Sequence, residues 1–138
     1  MALSKFQFLG YKVLKSYIEL KEDVTEEQSG LSLGFKTSGV VKKKDHTFAL
    51  NLGVKITNPE KSINIEIVAI GNFKFEADED NNDVSKFFYT NASAILFPYL
   101  RAYIGTLTNL SGLKAVNLPT MNLTNLADEL KENTIFLD

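Results

Sequence analysis

Three stretches of the chain alternate apolar and polar residues with a period of two. Leu31, Leu33, Phe35 and Thr37 interleave with Ser32, Gly34, Lys36 and Ser38. Phe48, Leu50, Leu52, Val54 and Ile56 interleave with Thr47, Ala49, Asn51, Gly53 and Lys55. Ile63, Ile65, Ile67, Ala69, Phe73 and Phe75 interleave with Asn64, Glu66, Val68, Ile70, Asn72, Lys74 and Glu76. Successive side chains of a strand point to opposite faces, so each run reads as a strand with one buried side. The separators Lys42-Lys43-Lys44-Asp45 and Asn58-Pro59-Glu60-Lys61 are turn sequences, which makes the three runs an antiparallel meander. Upstream, Tyr11 to Leu20 alternates weakly, with Leu14, Ile18 and Leu20 on the side of Ser16 and with Val13, Lys15, Tyr17 and Glu19 opposite. It reads as an edge strand on which Lys12 and Lys15 discourage pairing with stray chains. The acid-rich segment that follows, Lys21 to Ser29, is too long for a tight hairpin and fits a crossover or a return.

The period then changes. Leu96, Leu100, Ile104 and Leu107 recur at spacings of four, four and three, one face of a helix. These residues are expected to pack on Phe48, Leu50, Leu52, Ile65 and Ile67. Phe97, Tyr99 and Tyr103 widen the apolar surface beyond one stripe, so a second partner, such as another subunit, is expected. Pro98 has no N–H and clashes with the carbonyl four residues back, so the helix either starts near Phe97 with Pro98 in its first turn or begins at Asn91 or Ser93 and bends; the first is favoured. Gly112 fits a left-handed stop after Leu110. Asp83 is placed to cap a helical turn in Val84 to Tyr89. Leu123, Leu126 and Leu130 mark a last short helix within Asn122 to Asn133. The pattern predicts an α+β fold: a four-stranded antiparallel sheet with one face covered by a long C-terminal helix and a second short helix, forming one domain over residues 1–138.

Composition narrows the function more than it shapes the fold. A net charge of -2 with interspersed signs gives no electrostatic footprint for nucleic acid, and the lysine run at 42–44 reads as a solvated hairpin tip. With no cysteine there is no disulfide, thiolate nucleophile or cysteine-bound metal. The only histidine, His46, sits at a turn without partner ligands. The glycines form no phosphate loop and the carboxylates cluster in turns, so neither enzyme chemistry nor a cofactor is expected. No signal peptide or membrane span is evident in the pattern, which makes the cytoplasm the expected location and membrane insertion unexpected. One feature asks for a use: Leu113, Val116, Leu118, Met121 and Leu123 lie in a loop and helix start, where apolar residues are usually few. Adaptable leucine and methionine side chains beside partly free backbone suit a promiscuous holder of extended polypeptide. A carrier of a small hydrophobic ligand is the alternative from another class.

The run from Asn91 to Arg101, Asn-Ala-Ser-Ala-Ile-Leu-Phe-Pro-Tyr-Leu-Arg, resembles the segment of the SecB export-chaperone family in which Leu-Phe-Pro-Tyr-x-Arg opens the long helix. Asn117-Leu118 followed by Asn122-Leu123 is similar to that family's loop before its last helix, and Gly71-Asn72-Phe73 resembles its Gly-x-Phe strand end. The resemblance, over about residues 6 to 130, implies a crossover that sets the first strand beside the fourth. It implies a groove for unfolded preprotein between the Leu113–Leu126 region and the sheet, with Leu31, Leu33 and Phe35 on the opposite wall and Leu126 on the last helix. It also implies a dimer of dimers, with Phe97, Tyr99 and Tyr103 in the helix layer, and an acidic outer sheet face for the motor SecA, matched here by Glu66 and, more weakly, Glu19. Asn64 stands where the family has an apolar residue, Lys15 stands near an expected acid, and Ile135-Phe136-Leu137-Asp138 stands where the family has a polar, acidic tail. A SecB-like chaperone dedicated to one client, such as an antitoxin, fits those departures.

Overall fold

The computed structural model describes residues 6–24, 30–76, 81–119 and 123–138, without the side chains of 81–88 and 123–124. The alternating runs form strands β1 (Phe6–Leu20), β2 (Ser32–Lys42), β3 (Thr47–Thr57) and β4 (Ile63–Phe75), followed by helix α1 (Asn81–Leu110), helix α2 (Leu123–Glu132) and strand β5 (Thr134–Leu137). The sheet order is β1-β4-β3-β2-β5. Strand β1 therefore lies beside β4, as the crossover requires. The sheet is not four-stranded and antiparallel: β5 adds a fifth strand, parallel to β2, pairing Thr134–Leu137 with Gly39–Lys42.

Opposed residues of an antiparallel pair share a face, so the register assigns every side chain to one side of the sheet. Leu50, Leu52, Ile56, Ile63, Ile65, Ile67 and Phe73 form the buried side with Leu96, Leu100 and Ile104 of α1 against them. Leu107 is partly buried at the margin. Leu96 of the helix lies over Gly71 of the sheet; a Cβ at that glycine would sit 3.4 Å from both Leu96 methyls.

Strand β1 departs from the expected phase. Register shifts between Phe8 and Gly10 and between Val13 and Lys15 mark two bulges, with Leu9 and Leu14 as the extra residues. Phe6, Phe8, Val13, Ile18 and Leu20 pack on the core, whereas Leu9 and Leu14 are exposed. The side assigned to Val13 and Leu14 by simple alternation is thus reversed, because each inserted residue flips the phase.

Helix α1 begins at Asn81, well before Phe97, and contains Pro98 in its interior. The proline is tolerated because Pro98 and Ala94, the residue whose carbonyl loses its donor, both lie on the solvent side. The far end matches the expected stop. Gly112 has φ +98, its N–H donates to the Asn109 carbonyl, and the Leu113 N–H donates to the Thr108 carbonyl, a Schellman arrangement.

Candidate functional site

The Leu96–Arg101 segment shows why its residue types occur together. Leu96 and Leu100 enter the core, and Phe97 is buried with its ring 6.2 Å from that of Phe35 on β2. Tyr99 reaches the other end of the sheet, 4.7 Å from the Tyr11 ring and 5.6 Å from Phe8. Arg101 lies over Phe97 at 5.1 Å and its Nη2 donates to the Pro119 carbonyl at 3.2 Å. One helical turn thereby ties both flanks of the sheet and the loop after α1 into one unit.

That loop is held by a residue no motif singles out. Thr108 is fully buried; its hydroxyl donates to the Ile104 carbonyl at 2.8 Å and accepts from the Val116 N–H at 2.8 Å. The pull draws Leu113, Val116 and Leu118 inward to 5%, 2% and 3% exposure, and Leu126 of α2 is 6% exposed. The ledge expected from these four residues is filled by the subunit's own side chains. They are floor. Met121 lies outside the described residues, and Leu123 is described only as the start of α2.

The opposite wall is different. Leu31, Leu33 and Phe35 pack on the core yet are only partly buried. Beside them the outer edge of β2 changes from covered to open. The Thr37 N–H donates to Glu129 Oε2 (2.7 Å), Asn133 Nδ2 donates to the Thr37 carbonyl (3.2 Å), and the Gly39 N–H donates to the Asn133 carbonyl (3.2 Å). From Gly39 onward β5 pairs with the strand. Backbone direction alternates along a strand, so Leu33 and Phe35 send their N–H and C=O groups the same way as Thr37. Among the described residues nothing pairs with them there. An extended edge flanked by half-buried apolar side chains is a template for another strand.

The remaining sites separate. Phe97 is buried inside the subunit, so it has little surface for another copy, while Tyr99 is 42% exposed and the Tyr103 hydroxyl donates to Ser16 at 2.7 Å. Tyr11, Tyr17, Leu9 and Leu14 are exposed on β1, the strand at the other end of the sheet. Glu66 and Glu19 share the outward face, where Glu66 is ion-paired with Lys15 at 3.1 Å. His46 adopts φ 54 in the β2–β3 turn with its ring edge-on to Phe75. Among the described residues no group of three or more His, Cys, Asp or Glu is placed to hold a metal ion, and no helix is long and apolar enough to cross a membrane. A hollow of about 740 Å³ lies along β2 and β3, lined by Phe35, Val54 and Val68 but also by Lys36, Lys55, Glu66 and Glu129, and four charged side chains are unlike the few polar groups of an apolar carrier's pocket.

The family model described as preprotein translocase subunit SecB matches residues 20–133. The fold is similar to that of a Mycobacterium tuberculosis SecB-like chaperone in complex with a ChAD peptide from the HigA1 antitoxin, with a TM-score of 0.70 at 17% identity, covering 85% of this chain and 91% of that one. It is also similar to a protein of unknown function from Streptococcus agalactiae, with a TM-score of 0.57 at 13% identity, covering 86% and 100%. No curated protein sequence is detectably similar. With the Leu96–Arg101 turn, the Gly71 contact and the β1–β4 pairing all in place, and a family match over most of its length, the chain belongs to the SecB family and is a SecB-like chaperone.

Proposed function

We propose that this subunit acts as a holdase, keeping unfolded or extended polypeptide from aggregating by pairing it with the open edge of β2, without nucleotide or other cofactor. One observation carries the reading: at Leu33 and Phe35 the strand edge is unpaired among the described residues, and both side chains are only partly buried beside Leu31. Strand β5 supports it from within the molecule, because the same edge already accepts an extended segment four residues beyond Phe35, at Gly39. A client strand gains ladder hydrogen bonds whatever its sequence, and the contacts of its alternate apolar side chains set which client is preferred. Leu113, Val116, Leu118 and Leu126 support this groove from below.

Dedication to one client, such as an antitoxin, is favoured over general preprotein export by the neighbour that was captured with an antitoxin peptide. Presentation of Glu66 and Glu19 to SecA is supported by their common face, but Lys15 neutralises Glu66. Assembly as a dimer of dimers is supported by the exposed Tyr11–Tyr99 stack and by β1, a 15-residue strand with exposed leucines and tyrosines at the sheet's edge.

The test is light scattering of a slow-folding client. Wild type suppresses aggregation. Leu31→Asp with Leu33→Asp, assayed well below a melting temperature that these core-packed positions lower, abolishes suppression, and Leu33→Pro, which removes one edge N–H while keeping the bonds to β3, weakens it. Full suppression by both variants would place the site elsewhere.

A further inference from the structure

The register places six lysines on the outward face of the four antiparallel strands: Lys12, Lys15, Lys36, Lys42, Lys55 and Lys74. The same face carries two carboxylates, Glu19 and Glu66. That is a surplus of four positive charges on one side of a chain whose total is -2, so the remainder of the molecule is acidic. Resemblance to an acidic outer face is therefore reversed here. All six lysines are exposed, and only Lys15 has a carboxylate partner among the described residues.

The charges are arranged in rows across the strands. One row runs Lys36, Gly53, Val68, Lys15 and the next Gly34, Lys55, Glu66, Tyr17. Lys36 and Lys55 are thus diagonal neighbours, about 7 to 8 Å apart at the backbone. Gly34 and Gly53 occupy the positions beside them and leave the hollow of about 740 Å³. A Cβ at either glycine would meet nothing closer than 3.8 Å, so close packing does not demand glycine there. The two carboxylates that line the hollow are already engaged, Glu66 with Lys15 and Glu129 with the Thr37 N–H. Two ammonium groups without a carboxylate partner among the described residues remain over an open depression floored by Ser38, Asn51 and Val68.

We propose that this outward face is a docking surface for an acidic polypeptide segment, whose carboxylate side chains enter the hollow between Lys36 and Lys55. A polypeptide fits better than a nucleic acid. The face has no arginine for bidentate phosphate contacts, Tyr17 is its single aromatic residue, and half-buried Val68, Ile70 and Val40 offer the apolar contacts of a protein interface. The acidic remainder of the chain repels a long polyanion but not a short segment confined to this side.

The test is fluorescence anisotropy of the intact protein with a labelled peptide of alternating glutamate and serine. Saturable binding is expected at low salt and is lost as ionic strength rises toward about 0.5 M. Lys36→Glu with Lys55→Glu should weaken it by about tenfold or more, and Lys36→Gln with Lys55→Gln by less. Both changes are at exposed positions, so an unaltered melting temperature confirms the fold. Leu33→Pro should leave peptide binding intact, which separates failure here from failure of the β2-edge reading. No saturable binding, equal affinity of the Lys36→Glu/Lys55→Glu variant, or tighter binding of a single-stranded oligonucleotide or phosphatidylglycerol vesicles would overturn the proposal.

Discussion

The two faces of one sheet meet opposite fates. Toward α1, Leu50, Leu52, Ile56, Ile63, Ile65 and Ile67 are closed off from water within a single subunit. On the other side the alternate residues of the same strands leave lysines, asparagines and glycines against nothing among the described residues. Period-two alternation produces both faces at once, and the closed one supplies the stability that lets the open one stay polar. The edge of β2 lies where the two regimes meet, with Phe35 facing α1 and Lys36 facing out. A molecule built this way can offer a strand edge without exposing its core.

Substitutions on the closed side should have the largest effects. Leu126→Asp places a carboxylate in the core and should cost about 3 kcal/mol or more in urea unfolding, so it cannot serve as a clean probe of the groove. Leu100→Ala should cost about 2 to 5 kcal/mol through lost contact and a residual cavity. Thr108→Val leaves the buried Val116 N–H unsatisfied and should cost about 1 to 3 kcal/mol, loosening the 113–118 loop.

On the closed side, Tyr89 makes stability depend on pH. Burial raises its phenol above the ordinary value, and a hydrogen bond with Thr134 opposes the shift. The folded-state pKa exceeds the unfolded one, so the contribution is fully present below about pH 10 and is lost as pH rises through the folded value. Tyr89→Phe should flatten that alkaline loss in melting curves. On the open side, Lys12→Gln should change stability by no more than about 0.5 kcal/mol. A large loss there would mean that the outward face is covered.

What the sequence revealed and what it hid divide along physical lines. Strands β2 to β4 and the core of α1 were legible because long runs keep strict phase, and Gly112 was legible because a left-handed stop needs glycine. The bulges at Leu9 and Leu14 were hidden, since one inserted residue flips a strand without altering its composition. Strand β5 was hidden because four residues pairing in parallel at an edge leave no alternation to read. The early start of α1 was obscured by Pro98, whose cost falls when the deprived Ala94 carbonyl faces water. The apolar loop was misjudged as open because the hydrogen bond from the Val116 N–H to the Thr108 hydroxyl, which turns Leu113, Val116 and Leu118 inward, is a tertiary fact. The expectation that Leu31, Leu33 and Phe35 form a groove wall came from the SecB resemblance, and the direction of the free backbone groups beside them became visible only from the contacts of Thr37.

Amide hydrogen exchange at β2, read residue by residue with and without an unfolded client, tests the central claim most directly. The Leu33 and Phe35 amides are expected to become protected when client is bound, while the Gly39 amide, already held by Asn133, does not change. Client binding with no gain of protection at Leu33 and Phe35 would contradict it.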